Sequence, residues 1–306
     1  MSAIDPVYET LRDIRLDGSI FCRADLEAPW AFSTKGSQHA IFHAVVCGSA
    51  WLIPDGGAPM VLDTGDLVVL PAGTAHVLCD HPDRVPVPIA GLAVFQEGAR
   101  VGLLQTKGDG PRTELLCGTF RIDPLARGLL ADLMANVLHV RHRPTGEWLA
   151  GTLEMISAEL RDGAPGAGLV ADRMADVLLI RVLRAHLASR ANGGGGWLGG
   201  LRDERIGRAL AWLHRDPGST WTVSELARRA GMSRAAFYKR FVELVGQPPA
   251  LYAAAWRINL AKSHLARGAG LGDVADQVGY SSAAALSKAF KRHVGTSPGA
   301  WQQSAA

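Results

Sequence analysis

The chain has 306 residues, of which 48% are hydrophobic and 20% are charged, a composition that allows two domains and excludes disordered and fibrous proteins. Residues 1–200 carry 17 Lys and Arg against 22 Asp and Glu, whereas residues 201–306 carry 15 against 7, so only the second part is basic. No uncharged apolar run approaches the roughly 18 residues of a membrane span, and the acidic start is unlike a signal peptide, so we expect a cytoplasmic protein without a membrane partner.

Short apolar runs fill the region from Ile20 to about Phe120. Examples are AIFHAVV, AWLIP, LVVLP and TELLCGTF, which recur between Gly, Pro and Asp turns. Many short strands at this spacing predict an antiparallel sandwich or barrel.

The apolar period becomes helical after Pro124. The segments LARGLLADLMANVLHVRH, EWLAGTLEMISAEL and LVADRMADVLLIRVLRAHLASR carry apolar residues at i, i+3 and i+4. Such helices either cover the barrel or pair with a second copy of the chain, and three in succession favour a homodimer.

The segment ANGGGGWLGG, residues 191–200, marks the clearest domain boundary, because consecutive glycines lose too much backbone entropy to lie inside a regular element. We therefore divide the chain into a sensor and dimerisation domain (1–190), a glycine-rich linker (191–202) and a basic helical domain (203–306).

The last domain contains an internal repeat. The segment VSELARRAGMSRAAFYKRFVELVGQPPALY recurs, with one inserted residue, as LGDVADQVGYSSAAALSKAFKRHVGTSPGAW. Each copy has a small residue, Ala227 or Ala275, a glycine four residues later, and a serine, Ser233 or Ser281, expected to cap a second helix. The pattern predicts two helix-turn-helix units, whose second helices fit a DNA major groove.

The two units are joined by PALYAAAWRINLAKSHLARG, a continuous helical pattern. A rigid connection with a spacing near one turn of DNA, roughly 34 Å, would let both units enter adjacent major grooves. The excess of basic residues in this domain agrees with a polyanionic partner.

The order ELARRAGMS, VADQVGYSS and VGTSPGAW resembles the DNA-binding domain of the AraC/XylS transcriptional regulators, over about residues 203–302. The resemblance implies binding to double-stranded DNA by both units, and RNA polymerase as a partner. It places base contacts of the first unit on Arg234, Ala235, Tyr238 and Lys239, and base contacts of the second on Ser282, Ala284, Ser287 and Lys288. It places phosphate contacts on Arg240, Lys291 and Arg292.

The second predicted recognition helix departs from the family pattern. Ala285 and Leu286 stand where aromatic residues are common, and few long polar groups lie on its predicted DNA-facing side. We therefore expect the first recognition helix to contribute more of the base recognition.

The stretch GDLVVLPAGTAH resembles the second motif of the cupin β-barrels, and about residues 5–120 resemble the cupin-type ligand domain of many AraC regulators. The implied fold class is α+β, with a cupin-like barrel followed by helices and an all-α C-terminal domain. The enzyme-type first motif, H-x-H with a following Glu, is absent, and Asp80 replaces the usual Asn, so we expect no catalysis.

The N-terminal histidines and cysteines allow several interpretations. Strand alternation places His43 on an inward face, and with His76 opposite, Cys22 and Cys117 would complete a Cys2His2 set suited to Zn²⁺ or another transition metal. The resemblance to oxidant-sensing members of the family instead implies that Cys22 and Cys117 form a redox thiol pair. In a third interpretation these are ordinary core residues, as we expect for the other two cysteines, and the effector is an organic molecule or there is none.

Three classes of function compete. The chain is a regulator that responds to a metal, an oxidant or a small molecule, a cupin metalloenzyme fused to a DNA-binding domain, or a DNA-binding protein without an effector. The doubled helix-turn-helix, the uneven charge and the linker favour the regulator.

Overall fold

The computed structural model describes residues 8–9, 16–90, 101–122, 137–142, 148–189 and 197–305. The chain forms two compact units. The N-terminal unit comprises Leu16–Ile122 and the described part of Ala131–Ser189, and the C-terminal unit contains the described part of Arg190–Ala306. None of the described helices is both long enough and apolar enough to cross a membrane.

The N-terminal unit is rich in strands, as predicted. In chain order they are β1 (Leu16–Glu27), β2 (Ala31–Thr34), β3 (Ala40–Cys47), β4 (Ser49–Pro54), β5 (Met60–Asp63), β6 (Leu67–Leu70), β7 (His76–Cys79), β8 (Val87–Pro88), β9 (Gly102–Thr106), β10 (Arg112–Ile122) and β11 (Leu138–Val140). They form one sheet in the order β11-β6-β3-β10-β1-β9 and a second in the order β5-β4-β7-β2-β8. Most pairs are antiparallel, and β1–β9 and β2–β8 are parallel.

The main core of this unit combines side chains from both sheets. Leu26, Val45 and Leu115 of the first sheet belong to one buried cluster with Phe32 and Leu52 of the second. Period-2 alternation accounts for this arrangement, because every second residue of a strand points to the same face.

Two helices follow the strands, α1 (Trp148–Asp162) and α2 (Ala167–Ser189). α1 buries Leu149, Leu153 and Ile156, one apolar stripe at helical spacing. These helices confirm two of the three predicted helical segments. The first segment was predicted wrongly at Leu138–Val140, which pairs with β6 as β11, and residues 125–136 lie outside the described residues.

The C-terminal unit is helical, as predicted. Its described helices are α3 (Trp197–Arg202), α4 (Glu204–Arg215), α5 (Val223–Arg229), α6 (Arg234–Val245), α7 (Pro249–Ala266), α8 (Leu271–Gln277), α9 (Ala283–Val294) and α10 (Pro298–Ala305).

The predicted linker ends earlier than expected, because residues 197–202 form α3. Gly200 lies where an added Cβ would be 2.9 Å from both Leu210 Cδ1 and Val245 Cγ2. This glycine allows close packing of α3 against α4 and α6, and so it belongs to the C-terminal unit and not to a flexible connection.

The sequence repeat corresponds to a structural repeat. Phe241 of α6 packs edge-on against Tyr252 of α7, with ring centroids 5.9 Å apart, and Phe290 of α9 packs in the same way against Trp301 of α10, also at 5.9 Å. Each helix-turn-helix unit is therefore closed by an equivalent aromatic pair.

Candidate DNA-binding surface and sensor site

The two helix-turn-helix units have the predicted turns and closely packed first helices. Gly231 and Gly279 adopt φ angles of +65° and +79°, a left-handed conformation that side chains disfavour. Ala227 and Ala275 are buried. The first helices of the two units, α5 and α8, therefore pack closely beneath the recognition helices α6 and α9.

The caps of the recognition helices differ by one position between the repeats. Ser233 Oγ accepts a hydrogen bond from the Ala236 amide at 3.3 Å, as predicted. In the second unit the cap is Ser282, which accepts from the Ala285 amide at 3.2 Å, so the prediction of Ser281 was wrong. The residue inserted within the second repeat, between Gly279 and the cap, explains the shift, and it leaves the Ser282 hydroxyl engaged with the helix backbone.

The predicted DNA-contacting residues of α6 share its exposed face. Arg234, Ala235, Tyr238 and Lys239 are exposed, while Phe237 lies in the core. These exposed side chains combine positive charge with an aromatic ring.

The charged positions next to this face are in different environments. Lys239 Nζ is 4.0 Å from Glu243 Oε1 and its side chain is 81% exposed. Arg240 donates to Asp203 Oδ2, at 3.1 Å from Nε and 3.0 Å from Nη2. Arg240 is therefore held by a carboxylate of its own unit.

The DNA-facing side of α9 is less polar. Ala284, Lys288, Lys291 and Arg292 are exposed, Ser287 is half-buried, and Leu286 is fully buried. Leu286 is thus a core residue rather than a residue available to DNA.

Three predicted site residues meet inside the N-terminal unit. His43 of β3 lies with Nδ1 3.1 Å from Cys117 Sγ of β10 and with Nε2 2.7 Å from His76 Nε2 of β7. All three side chains are buried, and the contact between His43 and His76 joins the two sheets. We refer to Cys117, His43 and His76 as the cysteine–histidine chain.

The donor and acceptor roles within the cysteine–histidine chain follow from the contact that His76 makes at one end of it. His76 Nδ1 lies 2.8 Å from the Thr74 carbonyl, which can only accept, so the proton of neutral His76 is on Nδ1. His43 then donates from Nε2 to His76, and Cys117 donates its thiol proton to His43 Nδ1. Burial lowers the pKa of His76, and burial together with the neighbouring His76 lowers that of His43 well below 6.5, in agreement with neutral rings.

The fourth predicted residue, Cys22, lies opposite Cys117 in the antiparallel pairing of β1 and β10. A register shift between Ile20 and Cys22 makes Phe21 a bulge beside it. Burial raises the pKa of Cys22 to about 11 and that of Cys117 well above 9. Both thiols are therefore protonated at neutral pH.

The remaining cysteines are separate from this cluster. Cys79 is buried, as expected of a small core residue, whereas Cys47, expected in the core, is exposed at the end of β3. The prediction for Cys47 was wrong because β3 extends past the edge of the core at that point.

The comparisons with known proteins agree with both units. Residues 5–188 match a cupin family model, and residues 226–304 match a helix-turn-helix domain model. A protein of Streptomyces antibioticus named as an AraC-like transcription regulator is 36% identical over 98% of this chain and 99% of its own length.

This chain belongs to the AraC-like transcription regulators. The regulator AlkR of Acinetobacter baylyi is 29% identical to it over 99% of both chains. The solved DNA-binding domain of the transcriptional factor AdpA, in complex with a target DNA, is 33% identical over 31% of this chain and 87% of that one, with a TM-score of 0.30.

In this AraC-like regulator the four predicted metal ligands do not converge on one point. The two ring nitrogens of an imidazole point away from each other, and His43 directs one nitrogen at Cys117 and the other at His76. A single metal ion therefore cannot lie on both sides of the His43 ring, where Cys117 and His76 are found. Among the described residues, no group of three His, Cys, Asp or Glu side chains is arranged to hold a metal.

A cavity of about 290 Å³ in this AraC-like regulator reaches Thr74 and Asp55, and its described lining does not include Cys117, His43 or His76. It is lined by Pro54, Met60, Leu70 and Val137 together with Thr74, whose carbonyl accepts from His76. Its volume is at the lower end of the range for small-molecule sites, and its lining suits an apolar group.

The β1 strand that carries Cys22 is bound directly to α2, a connection that sequence patterns did not indicate. The Gly18 and Ile20 amides donate to Asp176 Oδ1 at 2.6 Å and to Asp172 Oδ1 at 3.1 Å. Among the described residues β9 covers β1 only from Cys22 onward, and at Gly18 and Ile20 these two carboxylates accept from the β1 amides instead. The i, i+4 spacing of Asp172 and Asp176 was visible in the sequence, but its partner was not.

Proposed function

We propose that this AraC-like regulator binds double-stranded DNA as a homodimer through α6 and α9, and that oxidation of Cys22 and Cys117 controls that binding. The exposed face of α6 carries the first part of the proposal, because Arg234, Tyr238 and Lys239 project from a helix whose opposite side is anchored in the core. Such a helix can enter a major groove and present these groups to base edges.

The homodimer is supported by apolar side chains left exposed on α2. Val170, Val177 and Ile180 are 43%, 46% and 40% exposed, and their spacing puts them on one side of the helix. A second copy would cover this stripe. Sedimentation velocity tests it: the double variant Val177→Asp/Ile180→Asp should be monomeric, whereas Val85→Asp, at an exposed position outside the helices, should stay dimeric.

The thiol switch is supported by the pairing of Cys22 with Cys117. Residues directly opposite on antiparallel strands have Cα atoms about 4.5–5.5 Å apart, within the range that a disulfide spans. A two-electron oxidant would take two electrons from the sulfurs as both thiol protons leave and an S–S bond forms. Because burial keeps the thiols protonated, the proton of Cys117 needs an acceptor, and His43 Nδ1 is placed for that role.

The effect of the disulfide would reach the DNA-binding unit through β1 and then α2, which are joined by hydrogen bonds. A new S–S bond would change the strand spacing at the Phe21 bulge, and β1 is bound to α2 through Asp172 and Asp176. α2 precedes the segment that leads to α3. A shift of α2 would alter the effective concentration of one DNA-binding unit relative to its dimer mate on paired sites.

The same proposal places the regulator in the cytoplasm with its DNA. It also makes RNA polymerase the partner through which a bound dimer changes transcription. The basic C-terminal unit supports DNA as a partner, and membership of the family supports RNA polymerase.

The experiment is DNA binding by the full chain before and after treatment with diamide, on sites selected from random DNA. Oxidation should change affinity and produce a Cys22–Cys117 disulfide detectable by mass spectrometry, and Cys22→Ser or Cys117→Ser should abolish both effects. Cys47→Ser is the matched control and should respond like the wild type. An unchanged affinity despite full disulfide formation would overturn the switch and leave DNA binding intact.

Metal binding is the alternative that the same protein tests. Elemental analysis of protein purified without chelator or nickel would reveal about one equivalent of zinc, copper or iron if the ligands rearrange around an ion. Loss of that metal in His43→Ala would make the cysteine–histidine chain a metal site. Metal-free protein that responds to diamide favours the thiol pair.

A further inference from the structure

Arg257, near the middle of α7, donates to three backbone carbonyls outside its own helix. Its Nε lies 2.6 Å from the Pro217 carbonyl, its Nη2 2.7 Å from the Ser219 carbonyl, and its Nη1 3.4 Å from the Gly279 carbonyl. One planar guanidinium thus contacts two separate segments of the C-terminal unit.

Those segments lie next to different helix-turn-helix units. Pro217 and Ser219 lie in the loop that enters the first unit between α4 and α5, and Gly279 is the turn between α8 and α9 of the second. Arg257 therefore joins the loop before one unit, the turn inside the other, and the helix that connects them.

The backbone of the two segments is in direct contact at this point. A Cβ added to Gly279 would lie 2.5 Å from the Cα of Gly218, closer than any real Cβ contact. A Cβ on Gly218 would instead find its nearest neighbour at 3.8 Å. Gly279 is the residue that must be small for the units to touch.

The relative placement of the two recognition helices matters because DNA is helical. Each base pair rotates the groove by roughly 35° and advances it by about 3.4 Å. Here a half-site is the DNA segment contacted by one recognition helix, α6 or α9, of a single chain. Two units held in a fixed relation therefore fit one spacing of their half-sites, whereas loosely joined units tolerate several.

We propose that Arg257 is a positioning residue that sets the distance and angle between α6 and α9, and so determines which half-site spacing the regulator accepts. It makes no predicted DNA contact itself, and the proposal depends on both units binding DNA. Lysine would keep the charge, but its single ammonium cannot reproduce the planar fork that contacts three carbonyls.

The test uses the full chain and DNA selected by the wild-type protein, in a series with one or two base pairs added or removed between the two half-sites. The wild type should lose affinity steeply across this series, by about tenfold or more for one base pair. Arg257→Ala should bind the selected DNA more weakly and flatten the series to within about threefold, and Arg257→Lys should fall between.

Arg267 is the matched control. Its guanidinium makes two hydrogen bonds, both to Ser263 of the helix that Arg267 caps, at 3.0 Å to the carbonyl and 2.9 Å to Oγ. Arg267→Ala should retain the steep wild-type series. Thermal unfolding of each variant identifies any that fail to fold, and Arg257→Lys then carries the test.

The outcomes separate this inference from DNA binding by two units. A wild-type series without spacing dependence would mean that the two units do not bind together, and would overturn both. A steep wild-type series retained by folded Arg257→Ala or Arg257→Lys would overturn only the role of Arg257. Equal weakening at every spacing would make Arg257 a stabilising residue and not a positioning one.

Discussion

The Nε2 atoms of His43 and His76 lie 2.7 Å apart in the buried interior of the N-terminal unit. Only one proton fits between them, so the two rings cannot both be protonated. Protonation of His76 at Nε2 would set its N–H against the His43 Nε2–H, and protonation of His43 at Nδ1 would set an N–H against the Cys117 thiol proton. Either would leave a buried positive charge.

Acid should therefore destabilise the N-terminal unit. Burial depresses the pKa of both histidines below 6.5 in the folded protein, so below pH 6.5 the unfolded chain binds protons that the folded chain does not. The contribution of the two neutral histidines to the free energy of unfolding is then fully present above pH 6.5. It falls as the pH decreases, by up to about 1.4 kcal/mol for each histidine at pH 5.5.

Urea unfolding at pH 7.5 and 5.5 measures this dependence. His43→Gln/His76→Gln should be less stable at pH 7.5 but lose less stability on acidification. His81→Gln, on the exposed surface, should keep the wild-type slope. A double variant as sensitive to acid as the wild type would show that other groups cause the loss.

Gly18→Ala should destabilise the attachment of α2 to β1. An added Cβ would lie 2.7 Å from Ala175 Cβ and 2.9 Å from the Ala175 carbonyl carbon, so the helix must shift, at a cost of about 1–3 kcal/mol. Chemical unfolding would show the loss. Gly151→Ala is the matched control, because Gly151 is exposed in α1 with no neighbour near its Cβ position, and it should stabilise by up to about 1 kcal/mol. Equal effects at the two glycines would contradict this account.

Elements with strong local patterns were predictable from the sequence. The alternating strands, the apolar stripes of α1 and α2, and the repeated Ala, Gly and Pro of the two helix-turn-helix units all follow from local periodicity. Leu138–Val140 was not predictable in this way, because its strand conformation depends on pairing with β6, which is distant in sequence. Ser282 was missed for a different, local reason, because the residue inserted in the second repeat moves the cap one position farther from Gly279.

The candidate site was only partly predictable. His43 and His76 were placed together from strand alternation and the cupin motif, and they are in contact. The direction of each ring nitrogen depends on three-dimensional packing, and it is this direction that separates a hydrogen-bonded chain from a metal site. Arg257 carried no sequence signal for its role, because its three acceptors are backbone carbonyls, which any residue could supply.

Lys239 and Lys291 should differ in how they affect DNA binding. Lys239 projects from the exposed face of α6, so Lys239→Ala should weaken binding to selected DNA by roughly 1–3 kcal/mol and relax sequence preference. Lys291→Ala should weaken selected and random DNA alike and reduce the salt slope by about 1. Fluorescence anisotropy at several salt concentrations separates the two. Equal losses on selected and random DNA for Lys239→Ala would exclude base recognition by this residue.

Arg240 should behave differently from Lys291, although both were assigned to phosphate contacts. Asp203 accepts from Arg240 at 3.0 Å and also caps α4 by accepting from the Arg205 and Ile206 amides. The ion pair is partly exposed, so the two side chains should couple by only about 0.5 kcal/mol in a double-mutant cycle of unfolding, whereas Asp203→Ala alone should cost about 1 kcal/mol through the lost cap.

The consequence for DNA binding is a smaller electrostatic effect. Because a carboxylate already offsets the charge of Arg240, Arg240→Ala should reduce the salt slope of DNA binding by clearly less than Lys291→Ala does. Anisotropy titrations of the two variants, run on the same DNA and over the same salt range, make the comparison. A slope change as large as that of Lys291→Ala, together with no coupling to Asp203 in unfolding, would mean that Arg240 leaves Asp203 to bind a phosphate.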